Sequence, residues 1–230
     1  MVKLHLKRFA TPNTWPIPKK TLKYVARPLP GAHKIEHQIP VSVFLRDIVG
    51  VLHSQKEVKY VLHNKDCLVD GKVIHDNKRP VGLLDVVSLP KADMYLRVSV
   101  TEKNKLTAVE ITKKESTTKV CKITGKSLLK KGVTQLSTLD GRTFRVENGK
   151  DYKVGDSIAI SLPEQKITDH IPFKKGMTIL LDAGRHVGVV GSVEEIDGNI
   201  IVVKAGDESF RTHKAYALVI GKNKPIITVK

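Results

Sequence analysis

SQKEVKYVLHNKDCLVDGKVI, residues 54–74, carries two local-structure signals side by side. Ser54 is followed three positions later by Glu57, the spacing of a capping box, in which the two side chains satisfy orphan backbone donors at a helix start. Val58, Val61 and Leu62 then supply an apolar helical face. Beyond the helix, Cys67-Leu68-Val69 and Val73-Ile74 flank Asp70-Gly71. Asp-Gly between β-formers predicts a hairpin, because a type I′ turn needs positive φ at both central residues. Upstream, Leu45, Ile48, Val49 and Leu52 recur at i, i+3, i+4 and i+7, which predicts another helix with Ser42 as its N-cap. His53 lies at the joint, so the two helices must turn sharply. Downstream, Pro80 and Gly82 break the chain and Val86–Leu89 reads as a closing strand. Residues 41–92 therefore read as two helices followed by a hairpin.

The composition around this module points to a polyanion. The chain has 230 residues, with 40 basic and 23 acidic side chains and a formal net charge of +17. Its length suggests one or two domains as a starting expectation. With 40% apolar residues it can build cores. No apolar run approaches the roughly 18 residues of a membrane span, and the first 30 residues lack the apolar core of a secretory signal. Cys67 and Cys121 are too far apart and too few for a disulfide framework or a zinc knuckle, which fits a reducing interior. A large positive charge on such a chain points first to nucleic acid.

That charge is unevenly spread. Residues 1–40, 41–92, 93–172 and 173–230 carry net +7, +2, +5 and +3. The first stretch contains a single acid, Glu36, and six prolines: Pro12, Pro16, Pro18, Pro28, Pro30 and Pro40. Each proline fixes its own φ and pushes its predecessor away from helix. The apolar residues Leu4, Leu6, Phe9, Trp15 and Ile17 show no sustained period. The stretch is expected to be an extended arm, ordered only when bound. Lys7, Arg8, Lys19, Lys20, Lys23, Arg27, His33 and Lys34 would meet phosphates, and Trp15 would stack on a base or fill a partner's pocket. Deleting the arm is expected to weaken RNA binding and flatten its salt dependence.

Residues 93–172 read as β-rich. Alternation over Tyr95–Val100 and Leu106–Ile111 predicts a hairpin, and further strands are expected at Thr118–Ile123, Val133–Leu139, Arg142–Val146, Ser157–Leu162 and Lys166–Ile171. Lys119, Lys122, Lys126, Lys130 and Lys131 form a basic run, read with equal weight as a phosphate-contacting edge or as edge-strand lysines that deter aggregation. From 173 onward, Gly184, Gly188 and Gly191 punctuate β-formers, suiting a tight turn followed by a bulged strand. Asp197-Gly198-Asn199 is a turn, and the chain ends in a basic tail from Val219 through Lys222, Asn223 and Lys224.

Two helices and an Asp-Gly hairpin in this order resemble the S-four-type (αL) RNA-binding domain, whose basic face matches Arg46, Lys56, Lys59, Lys65 and Lys72 here. The glycine frame at 184–191 resembles the KOW motif of SH3-like barrels. Arg185 and His186 keep its turn cationic, while Val187 stands where that family usually has lysine. Over essentially the whole chain, the order of His5–Arg8, His33–Lys34, Phe44–Arg46, Asp70–Val73, Asp85–Ser88, Lys166–Asp169 and Val219–Pro225 resembles the archaeal form of the small-subunit ribosomal protein S-four-e family. The resemblance implies an α+β, mostly β chain in four parts. These are a basic N-terminal arm (1–40), an S-four-like domain (41–92), a central β-rich domain (93–172) and a C-terminal SH3-like KOW barrel with a basic tail (173–230). It also implies a structural role in the small ribosomal subunit, in the cytoplasm, with small-subunit ribosomal RNA and neighbouring ribosomal proteins as partners. Lys222 and Lys224 would join the contacts.

No catalytic pattern competes. There is no Gly-x-x-x-x-Gly-Lys loop, no Gly-x-Ser-x-Gly elbow and no His-Glu-x-x-His. The nine histidines are scattered, and His33 and His37 lie too close to Gly31 and Pro40 for a helical metal pair. No cofactor, metal, membrane or small-molecule substrate is expected. Five Phe, five Tyr and one Trp argue against base-stacking readout and for recognition of RNA shape and backbone. The competing reading is a KOW-containing transcription elongation factor that docks on RNA polymerase.

Overall fold

The computed structural model describes residues 5–206, 208–222 and 224–230. Leu4 and Asn223 lie outside the described residues, as does the side chain of Lys131. The chain divides into two compact units, residues 1–99 with 104–117 and 230, and residues 100–103 with 118–229. Both are built mainly of antiparallel strands.

In the first unit the elements are β1 (Leu6–Lys7), β2 (Tyr24–Val25), β3 (Gln38–Pro40), α1 (Val41–Val43), α2 (Gln55–His63), β4 (Leu68–Val69), β5 (Lys72–Val73), β6 (Pro80–Gly82), β7 (Val86–Leu89), β8 (Met94–Val100) and β9 (Leu106–Glu110). β1 pairs with β2 and β3 with β6, while β5-β4-β7-β8-β9 form a five-stranded sheet. That sheet runs through residue 92 and takes in both strands of the Tyr95–Ile111 hairpin.

The capping box forms as its spacing predicts. The Ser54 hydroxyl accepts from the Glu57 N–H at 3.2 Å, and the Glu57 carboxylate accepts from the His53 N–H at 2.9 Å. The upstream helix differs. After α1 the chain widens into π-helical turns over Phe44–Val49 and stops at Gly50, whose φ is 74°. Pro40 occupies the cap position and Ser42 is buried inside the helix, so Ser42 is not the N-cap. The hairpin turn has φ of 50° at Asp70 and 74° at Gly71, both in the left-handed region that the I′ turn requires.

The proline-rich start is not a free arm. Trp15, 1% exposed, lies in one apolar cluster with Ile17, Ile39, Phe44, Leu45, Val58, Leu62, Val87 and Leu96. Its indole N–H donates to the Gln38 carbonyl at 2.8 Å, and the Leu106 N–H donates to the Thr14 carbonyl at 2.8 Å. Prolines rule out helix, but a chain too irregular for helix still buries its large apolar side chains when a neighbouring surface offers a pocket. Order here comes from the protein's own core. Deletion of residues 1–40 would strip Trp15, Ile17 and Ile39 from that core, so it is not a clean test of RNA contacts.

In the second unit, β10 (Thr118–Leu128), β11 (Thr134–Thr138), β12 (Thr143–Val146), β13 (Ser157–Ser161) and β14 (Ile167–Ile171) form a sheet ordered β12-β11-β10-β13-β14. β15 (Thr178–Leu181), β16 (Val190–Asp197), β17 (Ile200–Ala205), β18 (Glu208–His213) and β19 (Ala217–Gly221) form a second, ordered β18-β17-β16-β15-β19. The register of β16 against β17 shifts between Val193 and Glu195, a bulge in the strand that follows the glycine frame. Gly188 has φ of 77°, and a Cβ there would lie 2.5 Å from the Thr101 carbonyl carbon. Val219–Gly221, read above as the start of a tail, is the buried end of β19. Ile227 and Val229 beyond it are also buried. An apolar run of Ala217–Ile220 is worth more in a sheet than in a solvated tail.

Candidate nucleic-acid interface

β10 lies inside its sheet, and the first two lysines of the run, Lys119 and Lys122, are buried along it, so they are neither a phosphate-contacting edge nor edge-strand guards; Lys126 and Lys130 are exposed. Lys119 is 1% exposed, and its ammonium lies 3.2 Å from Asp140 Oδ2. Arg142 Nε approaches the same oxygen at 2.9 Å, and the Cys121 thiol donates to it at 3.3 Å. The Thr138 hydroxyl donates to the other oxygen. Burial pushes the Asp140 carboxyl up, but Lys119, the Thr138 hydroxyl and Arg142 outweigh it and hold the group below its ordinary value. Lys122 is buried too and donates to the Ala215 carbonyl, and burial lowers its pKa. These cations serve the fold. In the same core, burial carries the Cys121 thiol well above its usual value.

The first unit sorts its charges the other way. Its near-neutral stretch, residues 41–92, has six acids, and each has an internal contact. Asp47 takes a two-bonded fork from Arg46 at 3.1 and 2.7 Å. Glu57 caps α2. Asp66 lies 2.8 Å from Lys91. Asp70 accepts from the Val86 N–H at 2.9 Å, Asp76 from the Lys78 N–H at 2.8 Å, and Asp85 from the Gly82 N–H at 2.8 Å. Glu57 and Asp76 make these contacts at the surface, and the lysines face water beside them. Val58 and Leu62 turn α2 inward, and Lys56, Lys59 and His63 occupy the opposite, exposed side. Lys59 and His63 also line a shallow groove of about 480 Å³ with His75, Asp76 and Asn77. Lys65, at φ 60° just past the helix, and Lys72, on the outer strand of the hairpin, are exposed as well.

The β1–β2 ribbon forms a second basic surface. Lys7 faces Tyr24 in register, and the Arg8 N–H donates to the Lys23 carbonyl at 3.0 Å. Lys7, Lys20, Lys23 and Lys34 are exposed. No Asp or Glu occurs between His5 and Ile35.

Several expected contact residues have other work. Trp15 is sealed in the core and offers no face to a base. Arg8 is 4% exposed, and its guanidinium donates to the Pro18 carbonyl at 2.8 Å and the Thr21 hydroxyl at 2.6 Å, which fastens the ribbon from below. His33 lies against Gly82, where a Cβ would fall 2.1 Å from its ring, and its Nε2 is 3.2 Å from Asp85. Arg46 is engaged by Asp47, and that hydrogen bond raises its pKa. Lys19, half-buried, donates to Asn13 Oδ1 at 2.7 Å. Arg27 is half-buried. In the second unit Arg185 is exposed, but the ring of His186 stacks on Phe210 at 4.0 Å and 13°. Lys222 and Lys224 are exposed.

Sequence reasoning passed over the exposed rings. Phe9, Tyr24 and Tyr60 are 69, 49 and 70% exposed, each beside a basic neighbour: Arg8, Lys23 and Lys59. That adjacency was the available signal. Among the described residues no group of three His, Cys, Asp or Glu could hold a metal ion, and no helix is long and apolar enough to cross a membrane.

Comparison with known proteins agrees with a basic, multi-part chain of this kind. Residues 92–167 match the model of "Ribosomal family S4e", and residues 2–36 match that of the "RS4NT (NUC023) domain". The small ribosomal subunit protein eS4 of Methanosphaera stadtmanae is 39% identical over 98% of this chain and 95% of its own. The eS4 protein of Methanocella arvoryzae is 39% identical over 97% and 96%. The crystal structure of the 30S ribosomal protein S4e from Thermoplasma acidophilum superposes with a TM-score of 0.71 at 29% identity, covering 81% of this chain and 96% of that one.

Proposed function

The chain belongs to the ribosomal S4e family, and from that premise we propose that it is a structural component of the small ribosomal subunit that binds ribosomal RNA and supports subunit assembly. The observation that carries the reading is the sorting of charge. The acids of residues 41–92 are engaged in a cap, a fork, an ion pair and turn contacts, while the lysines of α2, the hairpin and the ribbon face water. Such a surface neutralises phosphates and releases condensed counterions. It reads backbone and shape, as a scaffold does, and needs no reaction centre.

The S-four-like and KOW readings belong to this proposal. The π-helical turns with α2 and the Asp70-Gly71 hairpin would form the RNA-facing module of residues 41–92. The sheet of β15 to β19 would be the KOW-type barrel of residues 173–230, with Arg185 at its turn. The central part, residues 93–172, would join them, and residues 1–40 would supply the basic ribbon. Relatives matched over nearly their full length are small-subunit proteins, and none of this favours docking on RNA polymerase.

Sedimentation of cell extract through a sucrose gradient tests the proposal. The chain should co-migrate with small subunits and leave them only at high salt. Co-migration with RNA polymerase, or sedimentation as a free protein at low salt, contradicts it.

A further inference from the structure

The ribbon has a feature that phosphate binding does not require. Phe9 and Leu22 are 69 and 66% exposed, and Tyr24 is 49% exposed. After β1 the chain turns through a short 3-10 stretch, Arg8–Ala10, and the bond of the Arg8 N–H to the Lys23 carbonyl holds that turn, with Phe9, against the segment that carries Leu22 and Tyr24. Single exposed apolar residues are ordinary, but three in the ribbon and the turn and chain that flank it form a patch that calls for a partner. The patch is held firm. The buried Arg8 guanidinium ties β1 to the Pro18–Thr21 turn that leads into β2. The His5 ring meets Tyr24 edge-on at 5.6 Å, and the Lys23 ammonium lies 5.5 Å from the Tyr24 centroid.

We propose that Phe9 and Tyr24 form a ledge on which unpaired bases of an RNA strand stack, while its phosphates run along Lys7, Lys20 and Lys23. This rests on the RNA-binding reading above and adds a mode of contact that the scarcity of aromatic residues seemed to rule out. Charge selects the occupant. With no Asp or Glu between His5 and Ile35, the segment that carries the patch contributes only cations beside it. Single-stranded RNA offers the matching pair of features, flat apolar faces joined by an anionic backbone. Every base has such a face, so the contact tolerates sequence. Tyr24 is additionally primed by its lysine, whose charge can bridge ring and phosphate.

The test uses the full-length protein and purified small-subunit ribosomal RNA. Three forms are compared: wild type, Phe9→Ala with Tyr24→Ala, and Phe9→Trp with Tyr24→Trp. Stacking on one ring is typically worth roughly 5- to 100-fold in affinity. The alanine pair should lose at least that much with an unchanged salt slope, and the tryptophan pair should bind like wild type. Phe9 is largely and Tyr24 about half exposed, so thermal midpoints should stay close and a folding defect would be seen. Ultraviolet crosslinking of native small subunits should join Phe9 or Tyr24 to a nucleobase. If the alanine pair binds as wild type does, RNA binding stands and the ledge is overturned. A crosslink from these rings to another protein overturns it too. Failure of wild type to bind the RNA overturns both readings.

Discussion

Lys7 in β1 and Lys119 in β10 are both strand lysines in basic stretches, and they end in opposite environments. The ribbon lysines stand in water with no acid near them in sequence. The β10 lysine is sealed against Asp140, and Arg142 and a thiol share that carboxylate. Strand position explains the difference. A two-stranded ribbon has a solvated face, whereas β10 is the middle of five strands and is buried from Lys119 to Ile123. A basic run therefore says that cations are present, and the topology says whether they are available to a partner.

The sharpest way to break this comparison is to remove what each region depends on. Asp140→Asn should destabilise the second unit by about 3–5 kcal/mol, because it removes the buried carboxylate on which Lys119 and Arg142 converge. Thermal or urea unfolding measures this, and a loss under 1 kcal/mol would show that the cluster is not structural. The same group gives a pH signature. Its pKa is lowered from 3.8, so its stabilising contribution is present above that value and is lost as pH falls through the lowered one. An acid titration of wild type should show extra loss of stability below pH 3.8 that Asp140→Asn lacks.

Trp15→Ala should cost a similar or slightly smaller amount, about 3–5 kcal/mol at the upper end, by opening a cavity beside Phe44 and Leu45. A stable variant with weakened RNA binding would instead return Trp15 to the role of base-stacker. Smaller again, Ser54→Ala should cost about 1 kcal/mol through loss of the α2 cap. Native-state hydrogen exchange at the first turn of α2 would report it. The Cys67 thiol, pushed up to about 12 by burial, should resist alkylation in the folded chain and react on unfolding.

Local chemistry was legible in the sequence wherever the signal was local. The capping box at Ser54 and Glu57 and the positive-φ turn at Asp70-Gly71 each need only a few adjacent residues. The strands from Tyr95 onward followed from alternation. What stayed hidden depends on partners far along the chain. Trp15 is held by Gln38, Lys119 by Asp140 and His33 by Asp85, and no spacing rule links such pairs. The neutrality of residues 41–92 was equally opaque, because a charge count does not distinguish an acid that caps a helix from one that faces a phosphate. Among the expected contact residues, Lys7, Lys20, Lys23, Lys56 and Lys59 stand exposed. Arg8, His33 and Arg46 are tied to internal partners, because their planar, multiply donating groups are the ones a fold recruits for internal bonds.

One measurement tests the central proposal that the exposed ribbon lysines, and not the buried Lys119 and Lys122, meet the phosphates. The affinity of the full-length protein for small-subunit ribosomal RNA is followed against salt for wild type and for Lys7→Ala, Lys20→Ala and Lys23→Ala combined. Each lost phosphate contact removes about 0.7–0.9 from the slope of log K against log salt. The slope should fall by about 2–3, with thermal stability unchanged. An unchanged slope in the folded triple variant would contradict the account.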